Sequence, residues 1–326
     1  MADATCFAEL FPILRQRLVE QQHEVTSLTI VFDQGNVSRA NQQLVDGSEL
    51  HYVTGLTAAS QHELVKKANP LLAPVTLAGG ETVPAYRERR TIWGRERTAV
   101  VLLSERLREG QKRGVLQHVA SARRWLDGLQ ATLQRGKQKR DRARLPRDIE
   151  ARLHGRQHLA EVLHWELTGQ DPKLALTYQF DQPAFDALVR DRLGRLVLIT
   201  DRDDWSTAEI IDAYHGQSKI EAVFAHLKDP FHLALRPQFH WTDQKLHVHV
   251  LICMLGYVLA WSVFRRARRQ GAPYASMESL LDALALVRQV TVARSATGKG
   301  KMRITKQLEE IDPTLAPFLP ALGVTS

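Results

Sequence analysis

Two apolar runs within the first sixty residues constrain the fold more than any other part of this chain. Residues 27–33 close on Asp33, and residues 50–55 follow after a turn at Gly35 and Asn36 and a short segment that Ser38 is placed to cap. Each run has the length of a strand and is too short for a helix. Neither alternates strictly, so each reads as a strand buried on both faces. A helix from Asp3 or Thr5 to about Gln22 precedes them, with Phe7, Leu10, Phe11, Leu14 and Leu18 at helical spacing. Helix–strand–helix–strand is the order of a parallel α/β sheet. Ligands bind beyond the carboxyl ends of such strands, which makes Asp33 the first candidate functional residue.

The pattern changes after about residue 60. Pro70, Pro74, Gly79, Gly80 and Pro84 punctuate irregular chain, and residues 90–103 alternate about Gly94 as a hairpin does. Residues 104–170 read as two long helices with a break near 136–140 and Pro146. Strand character returns at 174–180 and 195–200. Ser206 with Glu209 forms a capping box that opens a helix to Lys228. Thr242 or Asp243 caps a further helix to about Arg268, and a last helix spans 277–290. The longest apolar stretch, 250–264, is short for a bilayer and reads as a buried helix.

The helix after Ser206 carries a polar stripe. Tyr214, Gln217, Glu221 and Lys228 stand at offsets of 0, 3, 7 and 14, within roughly 60° of one another on a continuous helix. Ile220, Val223 and Leu227 project from the other side. The stripe centres one carboxylate among phosphate-binding groups. Hard cations such as Mg²⁺ take oxygen ligands, so Glu221 and Asp33 are the acids expected to work together.

Charge points to a polyanionic partner. The net charge is +8, and residues 105–156 alone hold fifteen Lys/Arg against six Asp/Glu, which leaves the rest of the chain near neutral. Lys137, Lys139 and Arg140 sit in that basic arm. Cys6 and Cys253 are far apart without metal-ligand spacing, which fits a reducing cytoplasm. Met1-Ala2-Asp3 opens no signal peptide.

The stripe and its flanks resemble the tyrosine–arginine–glutamate–lysine signature of a large branch of bacterial insertion-sequence DDE transposases. Asp201-Arg202-Asp203-Asp204-Trp205-Ser206 leads into the helix. Leu235-Arg236-Pro237-Gln238-Phe239-His240-Trp241 leaves it, and residues 31–36 resemble the site of the family's second catalytic Asp. The likeness runs from about residue 1 to 290. It implies an RNase H-like α/β core with three carboxylates around two Mg²⁺ ions, Mn²⁺ being a substitute, and in-line attack on a DNA phosphodiester. Asp33 would be the second Asp and Glu221 the Glu. Tyr214, Gln217, Lys219, Lys228 and Arg236, with the basic arm, would contact DNA. Implied partners are double-stranded DNA, as element ends and target, and a second copy in a synaptic homodimer, in the bacterial cytoplasm with no membrane. The implied organisation is a partial core over 1–60, an insertion over 61–195, the rest of the core over 196–270 and a tail over 271–326.

Two departures follow from the same comparison. Gln217 stands where the signature has Arg, and Gln offers phosphate no cationic fork. The family's first catalytic Asp lies on an upstream strand, and only one aspartate, Asp3 at a helix start, precedes Asp33. The resemblance therefore implies a core lacking its first strands, an exposed edge on the Asp33 strand, and no strand transfer by this chain alone. A DNA-binding remnant that inhibits a full-length relative is the alternative function.

Overall fold

A computed structural model describes residues 3–135, 143–170, 173–237, 239–294, 303–309, 311 and 313–320. The basic-arm residues Lys137, Lys139 and Arg140 and the loop 297–301 lie outside the described residues. The chain divides into two compact units, Met1–Gln217 and Ser218–Ser326.

The first unit is mixed α/β. Helix α1 (Asp3–Glu20) leads to strand β1 (Thr29–Phe32), helix α2 (Arg39–Asp46), strand β2 (His51–Leu56) and helix α3 (His62–Ala68). Then come β3 (Ala73–Thr76) and the hairpin of β4 (Thr82–Ile92) and β5 (Arg95–Leu103). After a helical excursion the chain returns as β8 (Arg195–Thr200) and α8 (Thr207–His215). Among the described residues these strands form one sheet in the order β1-β2-β8-β5-β4-β3. β1 and β2 are parallel, as the sequence order requires, with Phe32 beside Thr54. The remaining pairs are antiparallel. Strands β3 to β5, assigned by the resemblance to an insertion, are hydrogen-bonded into the same sheet as β1 and β2.

The central strands are mostly apolar because both faces are covered. Val197 and Ile199 of β8 join Phe11, Phe32, Val45 and Leu64 on one side, while Leu198 joins Val53, Val100, Ile210 and Ile211 on the other. Phe7 of α1 sits 4.9 Å from the Phe32 ring, which fixes the helix across the edge strand β1.

One buried ionic group ties this sheet to α2. Arg97 on β5 is 2% exposed. Its guanidinium donates to both carboxylate oxygens of Asp46, at 2.9 and 2.6 Å, to the Tyr52 hydroxyl and to the Ile92 carbonyl at 3.1 Å. Burial pushes the Asp46 carboxyl up, but the hydrogen bonds from Arg97 and Gln42 outweigh it and hold the group below the usual carboxylate range. Burial raises the Tyr52 phenol, so it stays protonated.

The helical excursion packs around its own core. It consists of α4 (Glu105–Arg135), α5 (Leu145–His154), α6 (Leu159–Val162), the hairpin β6 (Leu163–Gln170) and β7 (Lys173–Phe180), and α7 (Gln182–Asp191). The expectation of two long helices fails after α4. Leu163, Trp165 and Leu167 of β6 pack inward while His164 and Glu166 alternate outward, a period of two that pairs with β7 instead of continuing a helix.

The second unit holds α9 (Gln217–Lys228, its first residue closing the first unit), α10 (Asp243–Arg269), α11 (Met277–Ala285) and the antiparallel pair β9 (Gln289–Arg294) and β10 (Arg303–Leu308). Ala267, Ala272, Leu280, Leu315 and Leu319 form its core. His226 pairs with Glu278, and His232 lies between Asp229 and Asp282, at 2.6 and 3.0 Å, so the end of α9 and the following turn are pinned to α11. The expected burial of the long apolar helix is not met: in its most apolar window α10 is only 11% buried.

Candidate functional site

Asp33 follows the last residue of β1 and directly precedes a 3-10 turn at Gln34–Asn36, to which its side chain makes no capping hydrogen bond. Its loop is held from below. Asn41, buried at 3%, donates from its side-chain amide to the carbonyls of Asn36 and Ala4, both at 2.8 Å, and so ties the turn to α1. Thr54 donates to the Phe32 carbonyl at 2.8 Å and closes the strand end. The start of β1 is held by Arg202, which donates to Thr29 Oγ1 and the Ser27 carbonyl at 2.9 and 2.7 Å.

The exposed Asp33 carboxylate meets Tyr214. The Tyr214 hydroxyl donates to Asp33 Oδ1 at 3.3 Å, across 181 positions of sequence. Tyr214 reaches it from α8, whose start is fixed by the expected capping box: Glu209 N–H donates to Ser206 Oγ, and Ser206 N–H to the Glu209 carboxylate. The approach depends on Gly55. A Cβ there would lie 2.7 Å from the Tyr214 hydroxyl oxygen and 3.2 Å from its ring carbon. A glycine inside a strand often marks close approach by another group, as Gly55 does here.

Gly55→Ala is expected to push Tyr214 off Asp33 and to cost about 1–3 kcal/mol, as overpacking does. Urea denaturation reads the loss. Tyr214→Phe in the same chain removes the atom nearest the new methyl and should recover part of it. A neutral Gly55→Ala variant would contradict the packing described.

The stripe is not one helix. α8 ends at His215, and α9 begins at Gln217. Gly216 between them donates to the Asp212 and Ala213 carbonyls and ends the first helix. Glycine is the poorest helix former after proline. Glu221 and Lys219 are exposed on α9 in the second unit, whereas Asp33 and Tyr214 belong to the first. The expected aliphatic underside is also reduced: Leu227 is buried, but Ile220 is 58% exposed.

Two of the basic candidates do come together in the second unit. Lys228 and Arg236 line one cavity of about 520 Å³ with Pro230 and Pro237. The chain folds back there because Leu235 N–H donates to the Leu227 carbonyl at 3.0 Å and Ala234 N–H to the Asp229 carbonyl at 2.8 Å. Pro237 follows a cis peptide bond. Lys228 and Arg236 thus border the same open cavity.

Among the described residues, no group of three or more His, Cys, Asp or Glu side chains stands close enough to hold a metal ion. His249 and Cys253 approach to 3.8 Å on successive turns of α10 and have no further ligand of that kind. Asp33 itself suits a hard cation, being an exposed carboxylate with one oxygen oriented by a hydroxyl. The chain matches no family model and no curated protein, and its fold matches no solved structure.

Proposed function

We propose that this chain supplies an RNase H-like core and part of the acid set for metal-dependent phosphodiester chemistry on DNA, without carrying out strand transfer alone. Within that class it is the DDE transposase of an insertion sequence, with Asp33 and Glu221 as two of its acids. The observation that carries this reading is the Tyr214–Asp33 hydrogen bond. The transposase resemblance assigns both residues to one phosphodiester site, although they are far apart in sequence. The shared Lys228–Arg236 cavity adds support, since the same resemblance gives both residues to DNA.

The resemblance gives Asp33 and Glu221 each to Mg²⁺, and a bound ion would supply Lewis-acid stabilisation of the charge on phosphorus-bound oxygen. Tyr214 orients the Asp33 carboxylate. Lys228 and Arg236 neutralise DNA phosphates and set the register of the strand without reading sequence. Gln217 offers a hydrogen bond without charge where a cation would bind more firmly, which leaves Lys219 as the cation nearest in sequence.

Binding to double-stranded DNA tests this reading. Each phosphate contact contributes a slope of roughly −0.9 to log K against log salt. The double change Lys228→Ala with Arg236→Ala is expected to flatten that slope by about 1 to 2, nearly independently of DNA sequence. Absence of salt-dependent DNA binding by the unaltered protein would overturn the proposal.

A further inference from the structure

His232 is held on both sides of its ring. Nδ1 lies 2.6 Å from an Asp229 carboxylate oxygen, and Nε2 lies 3.0 Å from one of Asp282. Ionised carboxylates only accept hydrogen bonds, and a neutral imidazole carries a single N–H, so the two contacts together need the imidazolium. The hydrogen bond to Asp229, and after it the one to Asp282, raises the pKa of His232 above its ordinary value. A metal ion does not account for the arrangement. The two ring nitrogens face different carboxylates, and among the described residues no three such groups converge.

These contacts join two elements of the second unit. Asp229 and His232 belong to the turn after α9, and Asp282 belongs to α11. Asp229 is the hub of the turn: its carbonyl accepts Ala234 N–H at 2.8 Å, and its carboxylate accepts Phe231 N–H at 3.0 Å. Ala234 stands at φ +48°, a conformation that a residue with a side chain keeps only where its surroundings impose it. Lys228 opens this turn and Arg236 closes it, and both border the cavity of about 520 Å³. The other titratable groups of the junction are His226 of α9, paired with Glu278 of α11, and Tyr257 of α10, whose ring lies 6.1 Å from that of His226. Burial raises the Tyr257 phenol, so it stays protonated.

We propose that His232 is a proton-operated clamp on the Lys228–Arg236 cavity: its imidazolium ties the turn to α11 and sets the spacing of the two cations, and loss of its proton frees the turn and weakens the hold of the cavity on phosphate. The neutral ring keeps Nδ1–H on Asp229, the shorter contact, and turns a bare Nε2 lone pair toward Asp282. Two acceptors without a proton between them repel, so the Asp282 side opens. The direction follows from linkage. A histidine whose pKa is raised on folding contributes its full stability below the unfolded value and loses it as pH rises through the folded one. The window therefore opens upward from the ordinary histidine value of 6.5, and phosphate is held more firmly in mild acid than in mild alkali. That the phosphate is DNA's rests on the function proposed above, whereas the clamp itself does not.

Hydrogen exchange of the full chain, read by mass spectrometry and corrected for the intrinsic pH dependence of exchange, follows the clamp. Protection over residues 229–236 and over α11 should fall about fivefold or more between pH 6 and pH 9. Asp282→Asn is the deciding variant. Its amide N–H donates to the bare Nε2, so the contact survives loss of the proton and protection should stay level across the range. Asp282 is 74% exposed, so the change leaves the core intact. Binding of one DNA duplex at one salt concentration reads the cavity. From pH 6 to pH 9 the dissociation constant of the unaltered protein should rise several-fold more than that of Asp282→Asn, which keeps every other histidine. Three results would overturn the clamp: level protection in the unaltered protein, loss of protection on the same course in Asp282→Asn, or the same pH ratio of DNA affinity in both proteins. Absence of DNA binding by the unaltered protein at any pH would overturn the DNA reading instead, and the exchange result would then decide the clamp.

Discussion

Arg97→Met is expected to destabilise the first unit by about 3–5 kcal/mol, the usual loss when one partner of a buried ion pair is removed. The variant leaves the Asp46 carboxylate without its bidentate donor and takes a hydrogen bond from the buried Tyr52 hydroxyl. Its cost comes from the abandoned charge more than from lost attraction, so Arg97→Met with Asp46→Leu should recover most of the stability. The effect has a defined pH dependence. The folded-state pKa of Asp46 lies below its unfolded value, so its contribution is complete above that unfolded value and is lost as pH falls through the folded one. The gap between Arg97→Met and the unaltered protein should therefore narrow below roughly pH 4. Urea denaturation at pH 7 and pH 3 measures both statements. A loss under 1 kcal/mol at pH 7, or a gap that widens in acid, would contradict them.

The second large effect concerns metal binding. Asp33→Asn and Glu221→Gln each keep shape and remove a charged oxygen ligand. As proposed metal ligands, each should lower the Mn²⁺ affinity of the protein–DNA complex tenfold or more, about 1.4 kcal/mol or above. Mn²⁺ titration followed by electron paramagnetic resonance reads both variants. Unchanged affinity in either variant would mean that the residue changed is not a ligand.

The parts of the fold that were legible in the sequence are those set by local pattern. Residues 27–33 and 50–55 are largely apolar and do not alternate strictly because helices cover both faces of β1 and β2, and their parallel pairing follows from the segment between them. The Ser206 capping box and the Gly94 hairpin are short-range chemistry and appear where expected. The position of β8 between β2 and β5 was not legible, since a strand contributed some 140 residues after β2 chooses its neighbours by tertiary packing. Periodicity misled in two places. The stripe from Tyr214 to Lys228 keeps helical spacing across Gly216, yet the helix stops there. The apolar run in α10 was expected to mean burial, but Leu251, Ile252, Leu255, Val258 and Leu259 stand exposed, since apolar composition alone does not set burial. At the candidate site, sequence pointed to Asp33 and Tyr214 separately. Gly55, which lets one reach the other, shows its role only through the space its missing side chain leaves.

Asp33, oriented by the Tyr214 hydroxyl, is proposed as a ligand of the metal that works on DNA. With hydrogen peroxide added, iron(II) substituted for Mg²⁺ generates hydroxyl radicals that cut the backbone near the ion's own ligands, and mass spectrometry locates the cuts. With double-stranded DNA present, a cut is predicted within a few residues of Asp33, suppressed by excess Mg²⁺ and lost in Asp33→Asn. No cut near Asp33, or a cut there that persists in Asp33→Asn, would contradict this assignment.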